Sequence, residues 1–150
     1  MKKYRAIIID DEKNVREVLQ LLLFQYCKEV EVVALASSAA EGRELLQKHS
    51  IDFIFLDISM PKEDGFTFLG TIPKENYCII FVTASEDYAM KALKASAIDY
   101  LLKPIDEQEL RKAVLKYKEL YFKKENDFSE KFLRLVQDNN SSFKVYVCPF

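Results

Sequence analysis

Ile51-Asp52-Phe53-Ile54-Phe55-Leu56-Asp57 (residues 51–57) decides the fold, because a short, mostly apolar run ends directly on an acid. A run of this length, rich in β-branched and aromatic residues, reads as a strand buried on both faces, from Ile51 to Leu56. Upstream, Tyr4 to Ile9 reads as another buried strand and Val30 to Ala36 as a second one. Downstream, Tyr77 to Val82 and Ile98 to Leu102 read as the fourth and fifth. Amphipathic stretches separate them. The first runs from about Glu12, with Val15, Val18, Leu19, Leu22 and Tyr26 spaced by three and four. The second follows Ser37 or Ser38 as N-cap, carries Glu41, Leu45 and Leu46, and ends near His49. A short third helix passes through Phe66 and Leu69 and stops at Pro73; a fourth follows Ser85 through Tyr88, Ala89, Leu93 and Ala95. A fifth begins at Asp106, with Leu110, Val114, Tyr117 and Tyr121 on one face.

Five β-α units in succession, joined by crossover helices, predict an α/β fold with a doubly wound, five-stranded parallel sheet. Such sheets bind ligands outside the carboxyl ends of their strands, where strand order reverses. The residues at those ends are Asp10-Asp11, Asp57, Thr83 and Lys103.

Composition narrows the classes of function. At 150 residues the chain suits one domain, and 49% hydrophobic with 31% charged residues supplies a core and a solvated surface. A net charge of −2 gives no general attraction for nucleic acid. Cys27, Cys78 and Cys148 are scattered, and His49 is the only histidine, so a zinc site lacks ligands; buried thiols are the expectation. The apolar stretch Ala6 to Ile9 is too short for a signal peptide, and no segment approaches the ~20 apolar residues of a membrane span. A cytoplasmic protein without membrane contact is expected.

Chemistry concentrates at the strand ends. An Asp after a strand is ordinarily a turn former or cap, and Asp10-Asp11 alone can cap the first helix, as Thr83 can the fourth. Four complementary groups at four strand ends point further. Crowded carboxylates either raise a pKa or recruit a cation, and oxygen donors without histidine or thiolate suit Mg²⁺. Lys103 supplies a positive point charge and Thr83 a hydroxyl for phosphoryl oxygens, while an aspartate can act as nucleophile and form an acyl phosphate.

These residues carry a family resemblance. Ile7-Ile8-Ile9-Asp10-Asp11-Glu12, Leu56-Asp57-Ile58-Ser59-Met60-Pro61, Asp64-Gly65, Phe81-Val82-Thr83-Ala84 and Asp99-Tyr100-Leu101-Leu102-Lys103-Pro104 resemble bacterial response-regulator receiver domains over about residues 3 to 122. The resemblance implies a flavodoxin-like sheet of order 2-1-3-4-5. It implies Asp57 as phosphoacceptor, taking its phosphoryl group from a sensor histidine kinase, with Thr83 and Lys103 contacting the phosphoryl oxygens. Mg²⁺ would be held by Asp11, Asp57 and the Ser59 backbone carbonyl, with Asp10 assisting, and Lys103-Pro104 would be a cis peptide. Thr83 and Tyr100 would form the switch, Tyr100 filling space that Thr83 vacates. The helix 4–strand 5–helix 5 face would become the output surface, through homodimer formation. The segment Ser85-Glu86-Asp87-Tyr88-Ala89, with residues 99–106, looks most like receivers of LytTR-type DNA-binding regulators.

Domain boundaries follow at 1–122 for the receiver and 123–150 for a linker helix and the truncated start of an effector domain. Phe128, Phe132, Leu135 and Val136 recur at helical spacing, Gln137 to Ser142 is polar, and Phe143 to Phe150 looks like a strand start. DNA contact would come only through a missing C-terminal domain. The alternative is a stand-alone receiver signalling by protein contact. An aspartate-nucleophile phosphatase would need Asp-x-Asp-x-Thr after strand one, where this chain has Asp10-Asp11-Glu12-Lys13-Asn14. No enzymatic turnover is expected beyond self-catalysed phosphorylation and slow dephosphorylation. A flavin or dinucleotide site would need glycine after strand one, and the chain has only Gly42, Gly65 and Gly70.

Overall fold

The computed structural model describes residues 3–85 and 99–120. In chain order these form β1 (Tyr4–Ile9), α1 (Lys13–Tyr26), β2 (Val30–Ala36), α2 (Ala39–Lys48), β3 (Phe53–Asp57), α3 (Gly65–Leu69), a 3-10 turn (Lys74–Asn76), β4 (Cys78–Thr83) and β5 (Asp99–Leu102). A C-terminal helix covers the described residues 107–120. All strands are parallel, in the order β2-β1-β3-β4-β5. The fold is therefore the doubly wound sheet that the strand pattern predicts. The expected fourth helix, Tyr121 and the segment 123–150 with Cys148 lie outside the described residues.

Continuous apolar strands are required because both faces of the sheet are covered. Every residue of β3 and of β4 is buried. Alternation sorts side chains between two cores. Ala6, Ile8, Phe53 and Phe55 pack toward Leu19 and Leu23 of α1 and Leu110, Val114 and Tyr117 of the C-terminal helix. Ile7, Ile9, Ile54, Leu56 and Phe81 pack on the opposite side with Phe68 of α3. Tyr117 closes the first core at its amino edge, its ring centroid 4.1 Å from Phe53 and 5.4 Å from Tyr4. Burying each such Leu or Phe side chain contributes about 2 kcal/mol.

Helix α1 corrects one detail of the sequence reading. Leu19 and Leu23 are its buried residues, whereas Val18 and Tyr26 turn outward with Leu21 and Phe24. The segment carries apolar residues all round, so spacing by three and four fits more than one stripe. In α2, Ser38 accepts a hydrogen bond from the Glu41 amide, and the Glu41 carboxylate accepts one from the Ser37 amide. Gly42 lets this helix lie against β1, since a Cβ there would meet Ile9 Cδ1 at 2.6 Å. Strands β3 and β4 start two and one residues later than the pattern suggests, and β3 includes Asp57. Ile51 is buried without entering the ladder.

At the amino edge, Glu29 is buried and forms ion pairs with Arg111 and Lys118 of the C-terminal helix. Arg111 also donates to the Tyr26 carbonyl at 3.1 Å. Cys27 and Cys78 are buried free thiols, as expected. No described helix is long and apolar enough to cross a membrane.

Candidate functional site

The parallel sheet delivers β1, β3, β4 and β5 to one carboxyl edge, and the predicted residues arrive there together. Asp10 follows β1 and is buried; Asp57 ends β3 and is buried; Thr83 ends β4 and is buried. Lys103 follows β5, and its amide donates to the Thr83 carbonyl at 2.8 Å. The Lys103-Pro104 peptide is cis, as the resemblance implies. The Lys103 ammonium reaches back over the edge, 3.1 Å from Asp10 Oδ2 and 3.6 Å from Asp57 Oδ1. It lies 3.3 Å from the exposed Glu12 carboxylate as well. Glu12 is a partner that strand-end reasoning missed, although its place beside the acid pair was a signal.

Local structure holds these groups in place. Asp10 Oδ1 accepts the Glu12 amide at 2.9 Å, and Arg16 of α1 donates to the Asp10 carbonyl at 2.7 Å. Asp10 thus helps to start α1, the ordinary role that its position allows, and still faces Lys103. Asp11 is exposed at the rim. The Ser59 amide donates to Asp57 Oδ1 at 3.3 Å, so the turn after β3 folds back on the acid. Thr83 Oγ1 accepts from the Ser85 amide at 3.2 Å. Tyr100 lies opposite Phe81 on β5, half-buried against the core that holds Ile7 and Ile9.

Electrostatics mark Asp57. Burial, then the charge of Asp10, push its carboxyl up to about 7 from 3.8; the Lys103 ammonium pulls it down, and Asp11 adds a raising hydrogen bond and charge. For Lys103, burial works against the charged form, but Asp57, Asp10 and Glu12 outweigh it and raise its pKa. The site therefore holds more negative charge than one ammonium balances.

A divalent cation fits that imbalance. Asp10 Oδ2 is buried, and its one partner among the described residues is the Lys103 ammonium, which Asp57 and Glu12 share. Donor oxygens of Asp10, Asp11 and Glu12 lie within 4.8 Å of one another. Hard carboxylate oxygens of this kind suit Mg²⁺.

A 2-1-3-4-5 sheet with buried acids facing a lysine at its carboxyl edge has the architecture of a signalling receiver. The chain belongs to the response regulator receiver domain family, whose sequence profile matches residues 6–115, and is thus a two-component signalling domain. It is 35% identical over 145 residues to the transcriptional regulatory protein BtsR of Escherichia coli K12, covering 96% of this chain and 57% of BtsR. It is 35% identical over 116 residues to the sensory transduction protein LytT of Bacillus anthracis, covering 76% of this chain and 47% of LytT. BtsR and LytT are LytTR-type response regulators. The chain spans little more than half the length of BtsR. Among solved structures, the receiver domain of AraT from Geobacillus stearothermophilus superposes with a TM-score of 0.71 at 35% identity, over 81% of this chain and 98% of that one. The response regulatory domain of mrkE from Klebsiella pneumoniae gives 0.69 at 27% identity, over 79% and 98%.

Proposed function

We propose that this receiver accepts a phosphoryl group on Asp57 from a sensor histidine kinase, with Mg²⁺ as its cofactor, and relays the change to a DNA-binding output. The observation that carries the reading is the placement of the Lys103 ammonium 3.6 Å from the Asp57 carboxylate and 3.1 Å from the buried Asp10 Oδ2. In the transfer, an Asp57 carboxylate oxygen attacks phosphorus and forms the acyl phosphate. The phosphorus–nitrogen bond of the donor phosphohistidine breaks, and its electron pair returns to the imidazole. Lys103 neutralises charge on the phosphoryl oxygens, and the Thr83 hydroxyl donates to another. Asp10, Asp11, Asp57 and the Ser59 carbonyl would hold Mg²⁺, which supplies further charge neutralisation.

The output is read from the same edge. Thr83 turns toward the phosphoryl group, and the half-buried Tyr100 ring follows into the vacated space. Two packings of one ring make a bistable element that a local charge event biases. The face of β5 and the C-terminal helix, together with the fourth helix expected outside the described residues, then pairs two copies. Residues 1–122 constitute this receiver, and residues 123–150 lead toward an effector domain. That boundary is supported by similarity to BtsR that runs beyond the receiver profile, over 145 residues. The setting is cytosolic, and the domain acts by changing partners rather than by turnover.

Incubation with acetyl phosphate and Mg²⁺, followed by intact mass, tests the assignment. One phosphoryl group is expected, absent with EDTA and absent in Asp57→Asn. An adduct that persists in Asp57→Asn would refute it.

A further inference from the structure

We propose that Arg43 of α2 is a positioning residue for the phosphoacceptor loop, acting through Glu63 to fix the Ser59 carbonyl. The inference rests on the reading of Asp57 and Ser59 given above and adds a residue outside the site. Arg43 Nη1 donates to Glu63 Oε2 at 2.7 Å and Nη2 donates to Oε1 at 2.6 Å, a two-pronged pairing across 20 residues of sequence. Nη1 also donates to Thr71 Oγ1 at 2.8 Å, and that hydroxyl donates to the Phe68 carbonyl at 2.7 Å. The guanidinium lies over the Phe68 ring, 5.7 Å from its centroid. One side chain therefore joins α2, the β3–α3 loop and the residues just past α3.

An exposed ion pair would contribute little to stability, and this geometry differs from that case. Its two side chains are 32% and 22% exposed, and the fork engages a third partner. The loop it grips is also constrained. Lys62, next to Glu63, has φ of 70°, a left-handed conformation that a residue with a side chain adopts only when its surroundings impose it. The Glu63 amide donates to the Pro61 carbonyl at 2.8 Å, and the Gly65 amide to the Ile58 carbonyl at 2.9 Å. Ser59 sits inside this folded stretch, with its amide on Asp57.

The other end of the clamp is equally firm. Arg43 follows Gly42, where α2 presses on Ile9, and Ile9 directly precedes Asp10. Arg43 thus references the loop that carries Ser59 to the strand that carries the acid pair. Releasing it frees Lys62 to leave its left-handed state and lets the Ser59 carbonyl drift from the carboxylates. Pre-set donors bind a cation more tightly than donors that must be ordered on binding.

The test is Mg²⁺ binding to the unphosphorylated chain, measured by calorimetry, for Arg43→Met, Glu63→Gln, the double variant and Lys48→Met. Lys48 pairs with Glu44 on the same helix at 3.2 Å, and among the described residues it has no hydrogen bond or ion pair to the loop. Arg43→Met and Glu63→Gln are each expected to weaken Mg²⁺ binding by about five- to tenfold, with the double variant no worse than the weaker single one. Arg43→Lys, lacking the fork, should not restore it. Lys48→Met should bind as the wild type does. Mg²⁺ affinity within about twofold of wild type in a variant that retains its circular dichroism overturns the proposal, even if its melting temperature falls. A wild-type chain that binds Mg²⁺ no better than Asp57→Asn would overturn the site reading itself and the clamp with it.

Discussion

Gly65 lies against the backbone of Asp57: a Cβ in place of its hydrogen would meet the Asp57 carbonyl oxygen at 2.6 Å and Ile58 Cα at 3.1 Å. Both obstacles are backbone, so the turn after β3 must move to admit a methyl group. Gly65→Ala is expected to cost about 1–3 kcal/mol and to suppress phosphorylation by displacing the Asp57 segment. Urea unfolding and intact mass after acetyl phosphate measure the two effects. Wild-type values in both would show that the turn is more compliant than its geometry indicates.

Asp57 should make stability depend on pH when Mg²⁺ is chelated. Its carboxyl titrates at about 7 in the native chain and near 3.8 when exposed. Between those values the native state keeps a proton that the unfolded state has released, so this group's contribution falls as pH rises through the window and is greatest below it. In EDTA, Asp57→Asn should therefore gain melting temperature over wild type as pH rises, reaching about 5 °C above the window. Added Mg²⁺ should shrink the gap. A pH-independent gap would refute the prediction.

Lys103→Met removes the cation that, among the described residues, pulls Asp57 down. The Asp57 carboxyl should titrate higher still, visible in carbon-13 carboxyl spectra, and phosphorylation by acetyl phosphate should slow by about 10- to 1,000-fold. An unchanged initial rate would take Lys103 out of the transfer.

Tyr100→Ala should leave phosphorylation intact while weakening phosphorylation-dependent self-association, read by sedimentation velocity. The ring is half-buried against one of the two cores, so some loss of stability accompanies the change and is scored separately. Equal association by the phosphorylated variant would remove Tyr100 from signal output.

Glu29→Ala leaves Arg111 and Lys118 without their shared acid at the amino edge. Both cations are 39% exposed and can rehydrate, so the expected loss is about 1–2 kcal/mol rather than that of a sealed pair. Denaturant unfolding should show it, and Arg111→Met in the same chain should add little. Phosphorylation should proceed at the wild-type rate, because the change is remote from Asp57.

The strands were legible because a sheet covered on both faces leaves no room for polar alternation, so β1 and β4 stand out as apolar runs. The site was legible because strand ends are countable: Asp10, Asp57, Thr83 and Lys103 occupy the last place of a strand or the next one. The inward face of α1 was not, since Val18, Leu21 and Phe24 are apolar yet exposed and blur the period. Nor could spacing reveal Arg43 with Glu63, or Glu29 with Arg111. Such pairs join elements remote in sequence, and a charged residue in one sequence looks the same whether solvated or paired.

The interlocked rings of Tyr4, Phe53 and Tyr117 stand at the start of β1 and β3, a full strand length from Asp10 and Asp57. An aromatic cluster thus braces the end of the sheet remote from the acids. The opposite end can carry mutually repelling acids and a left-handed lysine without endangering the whole. Substitutions among the acids can accumulate there while the aromatic end keeps the domain folded.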